Sequence, residues 1–169
     1  MYITHAQLNE RPGARELSEV ATPEHESLVD YDLMEASLTG ADTSAWTAPE
    51  IVVANEALQR IDAAVVDATS LIDGFLNQRG YLPLDPVPGI VTSWARAIVR
   101  YQLHQNRISD EKDPIVRDYK DALKLLQLTA DGKFSLGADD AVVNEANDAE
   151  IMIESESSVF NRNELNRFR

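Results

Sequence analysis

The stretch 47–80, TAPEIVVANEALQRIDAAVVDATSLIDGFLNQRG, decides how this chain folds. It opens as a helix start: Thr47 stands at the N-cap, Pro49 fits the first turn, and Glu50 sits three residues on, as in a capping box. From there Ile51, Ala54, Leu58, Ile61, Val65, Ala68, Ile72 and Phe75 recur in steps of three and four. That spacing puts them on one helix face, and Gly80 supplies the stop. At 1.5 Å per residue such a helix is on the order of 40 Å long. Ala64, Leu71 and Leu76 widen the stripe beyond a two-stranded coiled-coil seam, so the helix is expected in the core of a bundle.

The sequence on either side supplies partners for it. In 81–89, YLPLDPVPG, three prolines forbid a helix and force an extended connection, packed through Leu82, Leu84 and Val87. A further helix then runs from about Ile90 to Arg107, with Ile90, Val91, Trp94, Ile98 and Tyr101 as its stripe and Ala95, Ala97 and Val99 broadening it. After a polar break, Asp113 is an N-cap and Pro114 opens a helix that carries Val116, Tyr119, Leu123 and Leu126 to about Ala130, where Asp131-Gly132 ends it. On the N-terminal side, Thr4 caps a short helix through Glu10, Pro12-Gly13 breaks it, and 14–20 forms a second. Within 22–48, Leu28, Val29, Leu33, Met34 and Leu38 keep helical spacing and predict a short amphipathic helix. The loop 40–47 is expected to fold Trp46 back onto the body.

Beyond Gly132 the character changes. Phe134 to Gly137 reads as a short extended piece, 138–149 as an acidic linker, Ile151-Met152-Ile153 as a β-prone cluster, and 155–169 as an arm. The expected fold class is therefore all-α: a helical bundle of about four main helices, with short N-terminal helices and an extended C-terminal arm. Residues 1–134 form the bundle domain, in which 22–48 is an inserted segment, and 135–169 form the linker and interaction arm. No internal repeat of fixed period is visible.

Composition narrows the function. The 169 residues are 44 % hydrophobic, ordinary for a globular chain. There is no cysteine, which excludes disulfides, thiolate metal sites and a cysteine nucleophile, and suits a reducing compartment. No secretory leader is visible at Met1-Tyr2-Ile3-Thr4-His5, and the apolar runs are too short for a membrane span. The net charge is −14, from 15 basic and 29 acidic residues. Gripping nucleic acid depends on phosphate neutralisation by Lys and Arg, so that role is disfavoured. An acidic wall that DNA slides past is compatible with the charge, as is a plain solubility surplus.

Signs of chemistry are few. None of the three histidines has Glu three residues before it, as a di-iron bundle would need. His25, between Glu24 and Glu26, reads as part of a solvated acidic loop. His104, near Arg107 and Asp110, reads as a surface or subunit contact, and Asp62 and Asp67 as solvated surface of the long helix. There is no Gly-x-Ser-x-Gly elbow, no glycine-rich phosphate loop and no calcium loop. No catalytic, cofactor-binding or metal residue is expected, and the chain is read as a non-enzyme. The positive signal is the arm, where Val159, Phe160, Leu165 and Phe168 stand among Arg162, Arg167 and Arg169. Aromatic anchors with arginines are the composition of interface hot spots, whereas a frayed tail would carry them only incidentally. A basic arm complements an acidic body, a natural geometry for head-to-tail association of identical subunits.

The run 64–81 (AVVDATSLIDGFLNQRGY), the Leu-Pro-Leu of 82–84, Val87-Pro88, the 96–104 stretch RAIVRYQLH and the 116–123 stretch VRDYKDAL together resemble the small neck protein of Mu-like tailed phages and prophages. The ends, Met1-Tyr2-Ile3-Thr4 and Val159-Phe160-Asn161-Arg162 with Leu165 and Phe168, fit as well. The segment 22–48 departs from the pattern, being longer than the short turn of many relatives. The resemblance implies a head–tail connector (adaptor, or head-completion) protein: a helical bundle forming a homo-oligomeric, commonly dodecameric, ring beneath the portal. Such a ring extends the DNA channel without binding DNA specifically and is a platform for stopper or tail-terminator proteins. It further implies terminal arms that reach the portal or a neighbouring subunit, no catalytic residues, and recurrent positions at Asp73, Arg79 and Phe160-x-Arg162. The expected location is the virion neck, after assembly in the bacterial cytoplasm. A stopper or tail-terminator of the same neck, or a cytoplasmic regulatory bundle binding a partner helix, are the rival readings.

Overall fold

The computed structural model describes residues 1–108 and 110–137, and these form an all-helical body. Six α-helices follow in order: α1 (His5–Glu10), α2 (Ala14–Ala21), α3 (Tyr31–Thr39), α4 (Ala48–Leu76), α5 (Gly89–His104) and α6 (Pro114–Ala130). A single 3₁₀ turn, Asn77–Arg79, extends α4 to Gly80, whose φ of 73° closes the helix in the left-handed conformation that glycine adopts most easily. The start of α4 is set by Glu50, whose carboxylate accepts from the backbone amide of Thr47 at 2.8 Å and from its hydroxyl at 2.7 Å. At the first turn of α6 the Asp113 carboxylate accepts from the amide of Ile115 at 2.8 Å. Pro114 occupies a position where no amide is needed.

The 29 residues of α4 span roughly 43 Å at 1.5 Å per residue, and every other long helix touches this one. Ala54, Ala57, Ile61, Ala64, Val65, Ala68, Ile72 and Leu76 are its buried positions. Four alanines in that set let neighbouring backbones approach closely, while Ile61, Ile72 and Leu76, all 0 % exposed, fill the space between. Helix α5 buries Val91, Trp94, Ala95, Ile98 and Val99, and α6 buries Ile115, Val116, Ala122 and Leu126. The two pack on each other as well as on α4. Helices α1, α2 and α3 form a second group, also in mutual contact and joined to α4 through α2 and α3.

The segment 22–48 contributes to the core through α3, whose Leu33, Met34 and Leu38 are buried, and Trp46 packs back against the core as expected. Its entry is fixed by Thr22: the hydroxyl donates to the carbonyl of Ser18 at 2.5 Å and accepts from the amide of Val29 at 3.3 Å. Leu28 lies ahead of α3 rather than in it and is 52 % exposed. Other expectations also shift. Val87 is exposed, because the proline-rich connection turns Leu82 and Leu84 inward and leaves Val87 facing water. Helix α5 ends at His104, three residues early, where the chain enters the polar turn before α6. Phe134 comes back onto α5, its ring 6.1 Å from that of Trp94, so the start of the C-terminal segment is held on the body.

Replacing Ile61 by Ala leaves a cavity in the wall where helices meet, and is expected to lower unfolding stability by about 2–5 kcal/mol. Val66→Ala, on the exposed side of the same helix, should stay within about 0.5 kcal/mol. Urea unfolding followed by circular dichroism measures both.

Candidate functional site

Polar side chains of the body do two kinds of work: some pin distant segments together, and others are left facing solvent around open clefts. The most connected group joins α2 to α5. Arg100 and His104 stand one turn apart on α5, and both reach Glu16 near the start of α2. Arg100 makes a forked pair with the carboxylate, Nε to Oε1 at 2.5 Å and Nη2 to Oε2 at 2.8 Å, and His104 Nε2 lies 2.9 Å from Oε1. Burial pushes the Glu16 carboxyl up, but the hydrogen bonds from Arg100 and His104 and their charge more than offset this, and the group titrates below its ordinary range. The Arg100 guanidinium is raised, chiefly by its hydrogen bonds to Glu16 and against the effect of burial. His104 is therefore an internal contact, not the surface or subunit contact expected of it. The sequence offered one half of the signal, Arg100 and His104 at i, i+4; the other half lies 84 residues away.

The N-terminal strap is held to α4 in the same way. The Tyr2 hydroxyl donates to Asp73 Oδ1, and the phenol is pushed well above its ordinary range by burial first and by that carboxylate second. Ile3 is buried, and His5 Nε2 lies 2.6 Å from Asp62 Oδ1. Asp62 thus has a partner where bare solvated surface was expected, while Asp67 is exposed. Arg60 Nη1 donates to the carbonyls of Ala21 and Thr22, each at 3.3 Å, covering the C-terminus of α2. Arg79 lies against Gly132, whose φ of 73° ends α6, and a Cβ at that glycine would overlap the guanidinium. Of the positions singled out by resemblance, Asp73 accepts from the strap and Arg79 packs against the end of α6.

Among the described residues, clefts open on the surface at two places of note. One, of about 360 Å³, is polar and lies over α4 and the end of α5, with Asp67, Gln102 and Asn106 among its lining. The other, of about 230 Å³, sits between the end of α5, the turn that follows and the first turns of α6. Tyr101, Ile108 and Val116 are its apolar walls, and Asp110, Glu111 and Lys120 its charged rim. Lys120 Nζ is 4.0 Å from Glu111, a loose exposed pair, and the Asp110 carboxylate accepts from the backbone amide of Lys112 at 2.9 Å. Beside this cleft Tyr101 stacks on Tyr119, rings 4.0 Å apart and 4° from parallel, which stiffens the wall. Nothing in the sequence pattern announced the cleft, because it arises where the turn bends α6 back beside α5.

His25 is 77 % exposed and lies 3.8 Å from Glu26, as a solvated acidic loop would have it. Among the described residues no group of three or more His, Asp or Glu side chains is arranged to hold a metal ion, and no helix is long and apolar enough to cross a membrane. The interaction residues expected in the arm, Val159, Phe160, Arg162, Leu165, Arg167, Phe168 and Arg169, lie outside the described residues.

The Glu16 cluster has a pH signature. A carboxylate whose folded pKa is depressed contributes stability that is complete above its ordinary value, 4.5, and is lost as the pH falls through the folded value. Glu16→Gln is expected to cost about 2 kcal/mol at pH 7 and progressively less below pH 4.5, as the wild type loses the same pairing. Urea unfolding midpoints of the two proteins across that window check this.

With the geometry in place, comparison with known proteins is specific. The family model described as bacteriophage Mu, Gp36 matches residues 2–154, from the N-terminal strap through all six helices and into the acidic segment beyond. The Mu-like prophage FluMu protein gp36 of Haemophilus influenzae is 38 % identical over 121 residues, covering 70 % of this chain and 80 % of the relative. Gene product J of Escherichia phage Mu is 28 % identical over 103 residues, covering 60 % of this chain and 70 % of its own length. The chain belongs to the bacteriophage Mu Gp36 family.

Proposed function

We propose that this chain is a head–tail connector subunit, a structural, non-enzymatic protein of the virion neck. In this reading it forms a ring, twelve-fold like the portal, beneath the portal vertex. The ring extends the DNA channel and receives the stopper or tail-terminator protein. The observation that carries the reading is a division of charge within one phage protein. Residues 1–137 hold 21 acids against 12 bases and residues 138–154 a further six acids without a base, while residues 155–169 hold three arginines against Glu156 and Glu164. An acidic body repels phosphate, which suits a conduit that DNA must traverse without sticking. A C-terminal segment with Phe160, Leu165, Phe168 and its arginines suits anchoring on a protein partner, where each buried anchor contributes roughly 1–4 kcal/mol. The fold has the matching form: a core of long helices in which Glu16, Arg60, Asp62, Asp73 and Arg100 fasten separate segments to one another.

A stopper or tail-terminator in the same neck is the nearest rival, and particle symmetry separates the two, because those components follow six-fold order. Deleting 155–169 should leave the helical circular dichroism signal of the body intact while abolishing docking to purified portal rings and completion of packaged heads in extract complementation. Heads that are completed normally by the truncated chain would overturn the role given to the arm, and a six-fold ring in a cryo-electron microscopy map of the neck would overturn the connector assignment itself.

A further inference from the structure

We infer that the cleft between the end of α5 and the start of α6 is the receptor for the C-terminal segment of a neighbouring copy, with Phe160 entering between Tyr101, Ile108 and Val116 and Arg162 pairing with Asp110 and Glu111 on the rim. The inference deepens the ring reading above, since it names the contact by which one subunit holds the next.

Size is the first argument. The cleft of about 230 Å³ falls below the ~300–1,000 Å³ of small-molecule sites and is of the scale of one or two side chains. Its walls are two branched aliphatic residues and the edge of a stacked tyrosine pair, a stiff apolar surface that takes a phenyl ring with little loss of freedom. Its rim is negative, two carboxylates against the single ammonium of Lys120.

The second argument is what this chain can offer to such a site. Phe160 and Arg162 stand two apart in sequence, the spacing at which an extended chain bound in a cleft would offer a ring and a guanidinium to one surface. That matches an apolar pocket with carboxylates at its edge. The body is otherwise strongly acidic and would repel a second body, so the basic segment is the part of a neighbour with the right sign to approach. Reach is ample: 22 residues separate Gly137, where the described body ends, from Phe160, and they span up to roughly 70 Å.

The absence of cysteine from the chain makes the test clean. Full-length Asn161→Cys, which keeps both Phe160 and Arg162, is mixed with full-length Lys112→Cys, an exposed turn position next to Glu111 and outside the cleft's lining, under mild oxidant, and the disulfide-linked heterodimer is followed on non-reducing gels. Asn161→Cys mixed with Ser70→Cys, on the exposed side of α4, is the reference for random collision. The pair at 161 and 112 should crosslink well above that reference. Glu111→Lys should slow it about tenfold, and adding Arg162→Glu on the other partner should restore the rate. Crosslinking no faster than the Ser70 reference, or charge reversal without rescue, overturns the assignment. So does a chain carrying both Asn161→Cys and Lys112→Cys that closes only within itself, since the occupant is then its own arm.

The same cysteine pairs examined in rings formed by the full chain, alone or on portal, keep the two readings apart. Rings that form with the pair at 161 and 112 uncrosslinked defeat the cleft assignment and leave the connector reading standing. A pair that crosslinks there in a chain that never forms a ring on portal does the reverse.

Discussion

Burial of the apolar face of α4 is the constraint on which the rest depends. The helix is long enough to run through the whole body, and its buried positions alternate alanine with branched residues, so other helices come close to it at several levels. Helices α2, α3, α5 and α6 all use it as a wall, and neither the α1–α3 group nor the α5–α6 pair has an alternative surface of comparable extent. Isolated helices of eight or nine residues, such as α2 and α3, are marginal in water, so their existence here follows from docking rather than from propensity.

Electrostatics finishes what apolar packing begins. The strap and α2 are fastened by polar groups that reach across the chain: Tyr2 to Asp73, His5 to Asp62, Arg60 to the end of α2, and Glu16 to Arg100 and His104. Each takes a charged or polar group that would otherwise face solvent and uses it to fix orientation. In a chain with almost twice as many acids as bases, pairing Arg100 with Glu16 leaves the acidic surplus undiminished. A surplus of that sign suits the proposed non-stick passage for DNA.

The α5–α6 cleft fits the same economy of charge. It lies where the polar turn 105–113 interrupts helix packing, so apolar side chains from two helix ends are left partly uncovered beside carboxylates of the turn.

How much of this was legible beforehand differs from element to element. The stripe of 51–75, the caps at Thr4, Thr47 and Asp113 and the stops at Gly80 and Gly132 follow from local rules, because helix periodicity and end chemistry are decided within a few residues. Trp46 and the helix inside 22–48 were likewise readable from apolar residues with nowhere else to go. The pairing of Glu16 with Arg100 and His104, of His5 with Asp62, the exposure of Val87 and the cleft beside Tyr101 were not. Each depends on which faces of separate helices are brought together, and a sequence pattern gives each helix a buried face without saying which neighbour it meets or at what height. The sequence by itself therefore determined that this is an acidic helical body followed by a segment bearing aromatic residues and arginines. Only the tertiary structure decided which charges are spent inside, because pairing across 57 or 84 residues is a matter of distance in space, set by how α2, α4 and α5 dock.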